Sequence, residues 1–203
     1  MTTKNERRGT VWLVRHGETE WSASGKHTGR TDIPLTETGR QQAQALRRHL
    51  EGQRYETVLV SPLERALETC RIAGFGERAE VEPAIQEWNY GVWEGRRTAD
   101  IRKEIPGWSV WTHEVPGGET VAEVGARVDP VVERLAAVED AAVVFAHAHL
   151  LRVLAARWIG LPPEGGRCFT LGTASVSVLG WERENRVIVC WNQDWHLGID
   201  VNP

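Results

Sequence analysis

The sequence predicts an α/β fold, a three-layer α/β/α arrangement with a mostly parallel central sheet and an antiparallel edge. Two patterns carry this expectation. Short apolar runs alternate with amphipathic stretches, and near the C-terminus two apolar runs flank a polar turn. Apolar runs fit strands covered on both faces, and strand alternating with helix fits a parallel sheet.

In chain order, Val11-Trp12-Leu13-Val14 reads as the first strand. Thr36 opens a helical stretch to about Leu50, with Ala43, Leu46 and Leu50 at helical spacing. Thr57-Val58-Leu59-Val60 is a second strand. Ser61-Pro62-Leu63-Glu64 then places Ser at an N-cap, Pro at N1 and Glu at N3 of a helix reaching about Ile72. From Glu87 to Gly118 the pattern is irregular and rich in glycine, which predicts a lid-like loop segment with one short helix near Thr98 to Glu104. Thr120 with Glu123 forms a capping box for a helix to about Val138. Ala142-Val143-Val144-Phe145 is the third strand, and a helix after His147 carries Leu151, Leu154 and Trp158 on one face. Ser175 to Trp181 and Val187 to Asn192 flank the turn Glu182 to Arg186 as an antiparallel hairpin at the sheet edge. No internal repeat or low-complexity segment interrupts residues 1–203, so a single domain is expected.

Composition excludes several classes of function. With 41% hydrophobic and 26% charged residues the chain matches an ordinary globular protein rather than a disordered or fibrous one. A formal charge of -4 without a Lys/Arg run leaves no footprint for nucleic acid or an anionic membrane. Any phosphate ligand must therefore be held by a few local cations. Three scattered cysteines argue against a disulfide framework and for a reducing compartment. The polar residues 1–10 resemble no signal peptide and no apolar run has membrane-spanning length, so a cytoplasmic location is expected.

Each of the three clearest strands runs directly into a cation or an imidazole: Val14 into Arg15-His16, Val60 into the segment ending at Arg65, and Phe145 into Ala146-His147. Ligands of open α/β sheets bind beyond the carboxyl ends of the strands. Parallel strands would bring Arg15, His16, Arg65 and His147 to one edge, where guanidinium forks and helix N-termini both suit phosphate oxygens.

The chain resembles the histidine phosphatase superfamily, the phosphoglycerate mutase-like group, over nearly its whole length. The resemblance rests on Arg15-His16-Gly17-Glu18-Thr19, Thr28-Gly29 through Asp32, Pro34-Leu35-Thr36 and Gly39, Ser61-Pro62 with Arg65-Ala66 and Thr69, Glu87 with Tyr90-Gly91 and Glu94-Gly95, Gly118-Glu119-Thr120, and His147. It implies a phosphoglycerate mutase-like fold and a phosphomonoesterase that forms a phosphohistidine on His16. Arg15, Arg65 and a protonated His147 would bind the phosphoryl oxygens, and Glu87 would donate the proton to the leaving group. Neither a metal nor an organic cofactor is implied. Imidazole suits this chemistry because its unperturbed pKa, about 6.5, leaves it neutral near pH 7.

Trp21-Ser22, Thr28-Gly29, Glu87-Trp88-Asn89-Tyr90-Gly91, Trp108 with Trp111 and Phe145-Ala146-His147-Ala148-His149 with Arg152 look most similar to sedoheptulose bisphosphatase-type sugar phosphatases and bacterial acid phosphatases. That branch implies substrate contacts at Ser22, Thr28, Gly29, Tyr90 and His149, and a small phosphorylated metabolite, a sugar phosphate or bisphosphate, as partner. Self-association into a homo-oligomer stays open. The alternatives are a phosphoglycerate mutase, which would need a longer basic insertion and a bisphosphorylated primer, and a non-catalytic phosphate-binding module. Five tryptophans, Trp21, Trp88, Trp93, Trp108 and Trp111, fall in segments expected to rim the pocket, where each either shapes a sugar-phosphate site or packs in the core. Ala148 departs from the glycine the family commonly has there and would be strained if that position needed positive φ. His147-Ala148-His149 also raises a two-histidine metal pair, but no carboxylate or cysteine cluster at ligand spacing accompanies it. His149 is expected to cap the helix or touch the leaving group.

Overall fold

The structure, a computed structural model, describes residues 8–198. Six strands form one sheet in the order β3-β2-β4-β1-β5-β6, with β1 at Thr10–Arg15, β2 at Thr57–Val60, β3 at Glu80–Val81, β4 at Ala141–Ala146, β5 at Val176–Glu182 and β6 at Asn185–Gln193. The pairs β3/β2, β2/β4 and β4/β1 are parallel, whereas β1/β5 and β5/β6 are antiparallel. The hairpin forms the predicted edge, with a tighter turn than expected. The opposite edge, β3, was not foreseen because its two exposed residues are too few to show a period.

Strand side chains alternate between the two faces. Val143 and Phe145 of β4 and Val14 of β1 face a core shared with Leu46 and Leu50 of α2 (Glu37–Leu50) and with Ala66 and Cys70 of α3 (Glu64–Ile72). Ala142 and Val144 of β4 and Leu13 of β1 face the other core, shared with α5 (Val121–Ala136) and α6 (Ala148–Trp158). The sheet is thus covered on both sides.

Local chemistry sets the helix starts. Thr36 caps α2 by accepting from Gly39 N at 3.0 Å, and the Thr120 and Glu123 capping box opens α5. α3 differs from expectation. Its N-cap is Leu63 without a side-chain cap bond, because the Ser61 hydroxyl is engaged with His147 Nε2 at 2.7 Å. The four-residue α1 (Glu20–Ala23) is closed by a Thr19/Ser22 capping box. The irregular 87–118 stretch contains a short 3-10 turn at Gly91–Trp93 and α4 (Thr98–Glu104). Trp88, Trp93, Trp108 and Trp111 are buried in the α5/α6 core, so these tryptophans support the pocket from beneath rather than rim it.

Candidate functional site

Strand register assembles the site. Arg15 pairs with Ala146 across β1 and β4, so His16 and His147 leave the sheet at the same level, ring centroids 5.2 Å apart. Val60 pairs with Phe145, which brings Ser61 beside His147. His16 is buried, and its Nδ1 lies 2.7 Å from the Gly17 carbonyl. A carbonyl only accepts, so Nδ1 carries the proton, and in the neutral ring Nε2 keeps its lone pair. Burial and then the Arg65 and Arg15 charges hold the His16 pKa well below its ordinary value. His147 is depressed likewise by burial, Arg65, His16 and Arg15. This corrects the expectation of a protonated His147: both rings are neutral near pH 7.

The two arginines are braced by main-chain carbonyls. Arg65, fully buried, donates Nη1 to Thr31 O at 3.1 Å and Nη2 to Thr28 O and Gly29 O at 3.2 and 2.8 Å. Arg15 donates Nη1 to Leu171 O at 2.5 Å, and burial lowers its pKa to about 10, leaving it charged near pH 7. Arg15 Nε, Arg65 Nε and His147 Nδ1 are buried without a hydrogen-bond partner. Unpaired buried polar atoms are costly and uncommon in folded proteins. Three of them around one imidazole mark a place suited to a ligand rich in acceptors.

Glu87 meets this cluster from the irregular segment before Trp88. Its carboxyl takes three main-chain donors, Trp88 N and Leu150 N on Oε1 at 2.9 Å each and His149 N on Oε2 at 3.1 Å. Burial nevertheless raises its pKa, against those donors and the Arg65 charge. Tyr90 Oη lies 2.6 Å from His149 Nδ1, and burial keeps that phenol protonated and that imidazole neutral.

A cleft of about 310 Å³ opens over these groups, lined among others by Arg15, His16, Glu87, Tyr90, His149 and Arg152. A larger depression of about 610 Å³ beside β3 is lined by Val60, Leu67, Cys70 and Val81 among others. Its one nucleophile, Cys70, is disarmed because burial pushes its thiol up to about 12. The smaller cleft is therefore the candidate site.

The family description "Histidine phosphatase superfamily (branch 1)" matches residues 11–194. The chain belongs to this superfamily. It is 40% identical over 207 residues to an acid phosphatase of Mycobacterium tuberculosis, spanning 100% of this chain and 97% of the relative. It is 33% identical over 184 residues to sedoheptulose 1,7-bisphosphatase of Saccharomyces cerevisiae, spanning 73% and 67%. A solved structure from a Mycobacterium tuberculosis open reading frame superposes with a TM-score of 0.85 at 37% identity, covering 92% of this chain and 98% of that one.

In this histidine phosphatase the sequence-predicted residues fall into three groups. Arg15, His16, Arg65, Glu87 and His147 converge, with Tyr90 and His149 beside them. Thr28 and Ser22 line the cleft, but the Ser22 hydroxyl is spent on Thr19, accepting from its N at 2.9 Å and donating to its O at 3.0 Å. Gly29, expected at the substrate, is instead buried beneath the cleft. A side chain there would overlap the Glu94 carboxylate and Trp88 O, while its own carbonyl serves Arg65. Ala148 is unstrained, since it begins α6 and is not among the positive-φ residues, and His147 rather than His149 occupies the N-cap position.

The histidine phosphatase cleft also holds residues that the sequence did not flag as ligands. Lys26, His27 and Arg152 line it. Arg152 stacks over Trp111 with its guanidinium carbon 4.7 Å from the ring and donates Nε to Gly166 O at 3.0 Å. His27 Nε2 lies 3.0 Å from Thr98 Oγ1, and burial lowers its pKa to about 4. Arg152 lies three residues after His149 on the same face of α6, a spacing that could have drawn attention to it. Lys26 and His27 sit in a loop where no periodicity points.

Proposed function

We propose that this enzyme hydrolyses a small sugar phosphate or bisphosphate through a phosphohistidine on His16 Nε2. The observation that carries the reading is the Nδ1 contact to Gly17 O, which leaves the other ring nitrogen free to attack. In the first step the Nε2 lone pair bonds to phosphorus, the ester P–O bond breaks, and the departing alkoxide takes the proton of Glu87. In the second, water attacks the phosphorus, its proton passes to Glu87, and the N–P bond breaks to release phosphate.

Arg15, Arg65 and His147 bind the phosphoryl oxygens in this scheme. With the Ser61 hydroxyl donating to Nε2, the proton of neutral His147 sits on Nδ1 as a donor. Fixed donors of this kind contribute most when charge spreads over the transferring group. The raised pKa of Glu87 suits a group that must hold a proton before the first step. Ser22, Thr28, Tyr90 and His149 would flank the leaving group. The lining also carries three cations, Arg15, Lys26 and Arg152, against one carboxylate, Glu87. That balance favours a substrate with a second anionic group. Treating residues 87–118 as the lid of a single domain, its short length leaves the phosphohistidine open to water, which favours hydrolysis over phosphate shuttling.

Release of inorganic phosphate from sedoheptulose bisphosphate, fructose bisphosphate, p-nitrophenyl phosphate and 3-phosphoglycerate tests this. Bisphosphates should turn over with the highest kcat/KM, and mutase activity above hydrolysis would sink the reading. His16→Ala should abolish both turnover and acid-labile phosphoryl labelling while keeping the fold; turnover in that variant would end the nucleophile assignment.

A further inference from the structure

Glu87 stands in a stretch without regular structure, yet its position must be fixed to within a fraction of an ångström for proton transfer. Its carboxyl is fixed by the N-terminus of α6. Its main chain is fixed from a different helix. Arg127, in the middle of α5, donates Nη1 to Ala84 O at 2.5 Å and Gln86 O at 3.0 Å, and Nη2 to Glu87 O at 3.3 Å. The carbonyls that flank Glu87 are thus bonded by one guanidinium.

The remaining edge of that guanidinium is occupied by Glu119. Nε reaches Oε1 at 2.6 Å and Nη2 reaches Oε2 at 3.1 Å, a two-pronged pair that fixes the plane of the fork. Glu119 in turn accepts from Asn89 N on Oε2 at 2.8 Å, and its carbonyl accepts from Trp88 Nε1 at 2.7 Å. Residues 84–89 are therefore gripped on both sides of Glu87. Glu119 also pairs with Arg30 at 3.4 Å, and Arg30 lies in the loop whose carbonyls hold Arg65. One carboxylate links the proton-donor segment to the loop that braces a phosphate-side arginine. Both partners of the clamp are mostly covered, with side chains 19% and 17% exposed, so solvent screening does little to loosen it.

We infer that Arg127 and Glu119 form a positioning clamp for Glu87, setting where its carboxyl meets the leaving oxygen without touching substrate. This rests on the reading of Glu87 as proton donor. It makes a prediction that a merely structural ion pair does not. A misplaced proton donor harms substrates whose leaving group is a basic alkoxide and spares those whose leaving group is a stable phenolate. A loosened fold harms both alike.

The test compares kcat/KM for glycerol 3-phosphate and p-nitrophenyl phosphate in Glu87→Gln, Arg127→Ala, Arg127→Lys and Glu119→Gln, since kcat/KM reports the steps through phosphohistidine formation. Arg127→Ala should lose about 10 to 100-fold on the alkyl ester and less than about 3-fold on the aryl ester. Arg127→Lys should show the same split, because an ammonium cannot span three carbonyls and a carboxylate. Equal losses on both esters, no loss, or full rescue by Lys would each overturn the clamp. If Arg127→Ala fails to fold, Glu119→Gln, which keeps the side-chain shape, must show the split. Glu87→Gln separates the two ideas. A split there without one in the clamp variants refutes the clamp alone, and no split in Glu87→Gln refutes the proton-donor reading and the inference with it.

Discussion

His16 and Glu87 are displaced from their ordinary pKa values in opposite directions, and the pH dependence of turnover follows from that. In the proposed mechanism His16 must be neutral to attack, and burial with Arg65 and Arg15 holds its pKa well below 6.5. Activity is therefore retained as the pH falls through 6.5 and is lost only when His16 protonates below that. As the proposed proton donor, Glu87 must be protonated to assist the leaving group, and burial raises its pKa above 4.5. Activity on alkyl phosphates is lost as the pH rises through that raised value. The kcat/KM profile for an alkyl ester should accordingly be a bell whose acid limb lies below pH 6.5 and whose basic limb lies above pH 4.5, since kcat/KM reports groups of the free enzyme. A profile that climbs steadily from pH 6.5 to 8 would contradict this. Motifs in the sequence single out both residues as candidates, and the structure brings them to one cleft, but the ring neutrality of His147 was not legible, because it depends on burial and on arginines distant in the chain.

At the scale of elements, α2 and the turn after β1 hold each other through two glycines. A methyl group on Gly17 would overlap Gly39 O, and one on Gly39 would overlap Glu18 O. Main-chain bonds tighten the same contact, with Thr36 N donating to Glu18 O at 2.9 Å, and Gln42 Oε1 accepts from Glu18 N at 2.8 Å. Gly39→Ala should gain about 1 kcal/mol of helix propensity. It should lose about 1 to 3 kcal/mol to overpacking against main chain that cannot move aside. The net expectation is a lower urea midpoint together with a fall in kcat, because the displaced segment carries His16. A variant with a raised midpoint and unchanged kcat would show that the contact relaxes freely. Helices and buried strands were readable because their apolar spacing repeats. β3 was not, having two exposed residues, and the α3 start misled because Ser61 bonds a histidine 86 residues away instead of its own helix. Arg127 and the role of Glu119 escaped for the same reason: their partners lie up to 89 residues distant, and no local pattern encodes them.

For the whole molecule, six of the seven histidines, His16, His27, His49, His147, His149 and His196, have pKa values lowered by burial. In the unfolded chain each binds a proton near pH 6.5, and in the folded one it does so only at lower pH. Between those values the unfolded state holds more protons, so stability declines as the pH falls. Each buried histidine that stays neutral in the fold adds a slope of about 1.4 kcal/mol per pH unit once its unfolded counterpart is protonated, and the exposed His49 adds less. Glu87 acts with the opposite sign, its contribution being complete below pH 4.5 and lost as the pH rises through its raised pKa, but it is one group against six. The ion-paired carboxylates Asp100 and Glu104, with pKa values lowered by Arg97 and Arg96, lose their contribution only at lower pH. Across the interval from pH 6.5 to 4.5 the histidines therefore outnumber the opposing group, Glu87. Urea midpoints at constant ionic strength should fall steadily across that interval, and His27→Gln should flatten the fall, since its own pKa of about 4 spans the whole range. A midpoint that holds level or rises on acidification would mean that these rings take up their protons in the folded state, and with them His16 would lose the neutrality on which its attack depends.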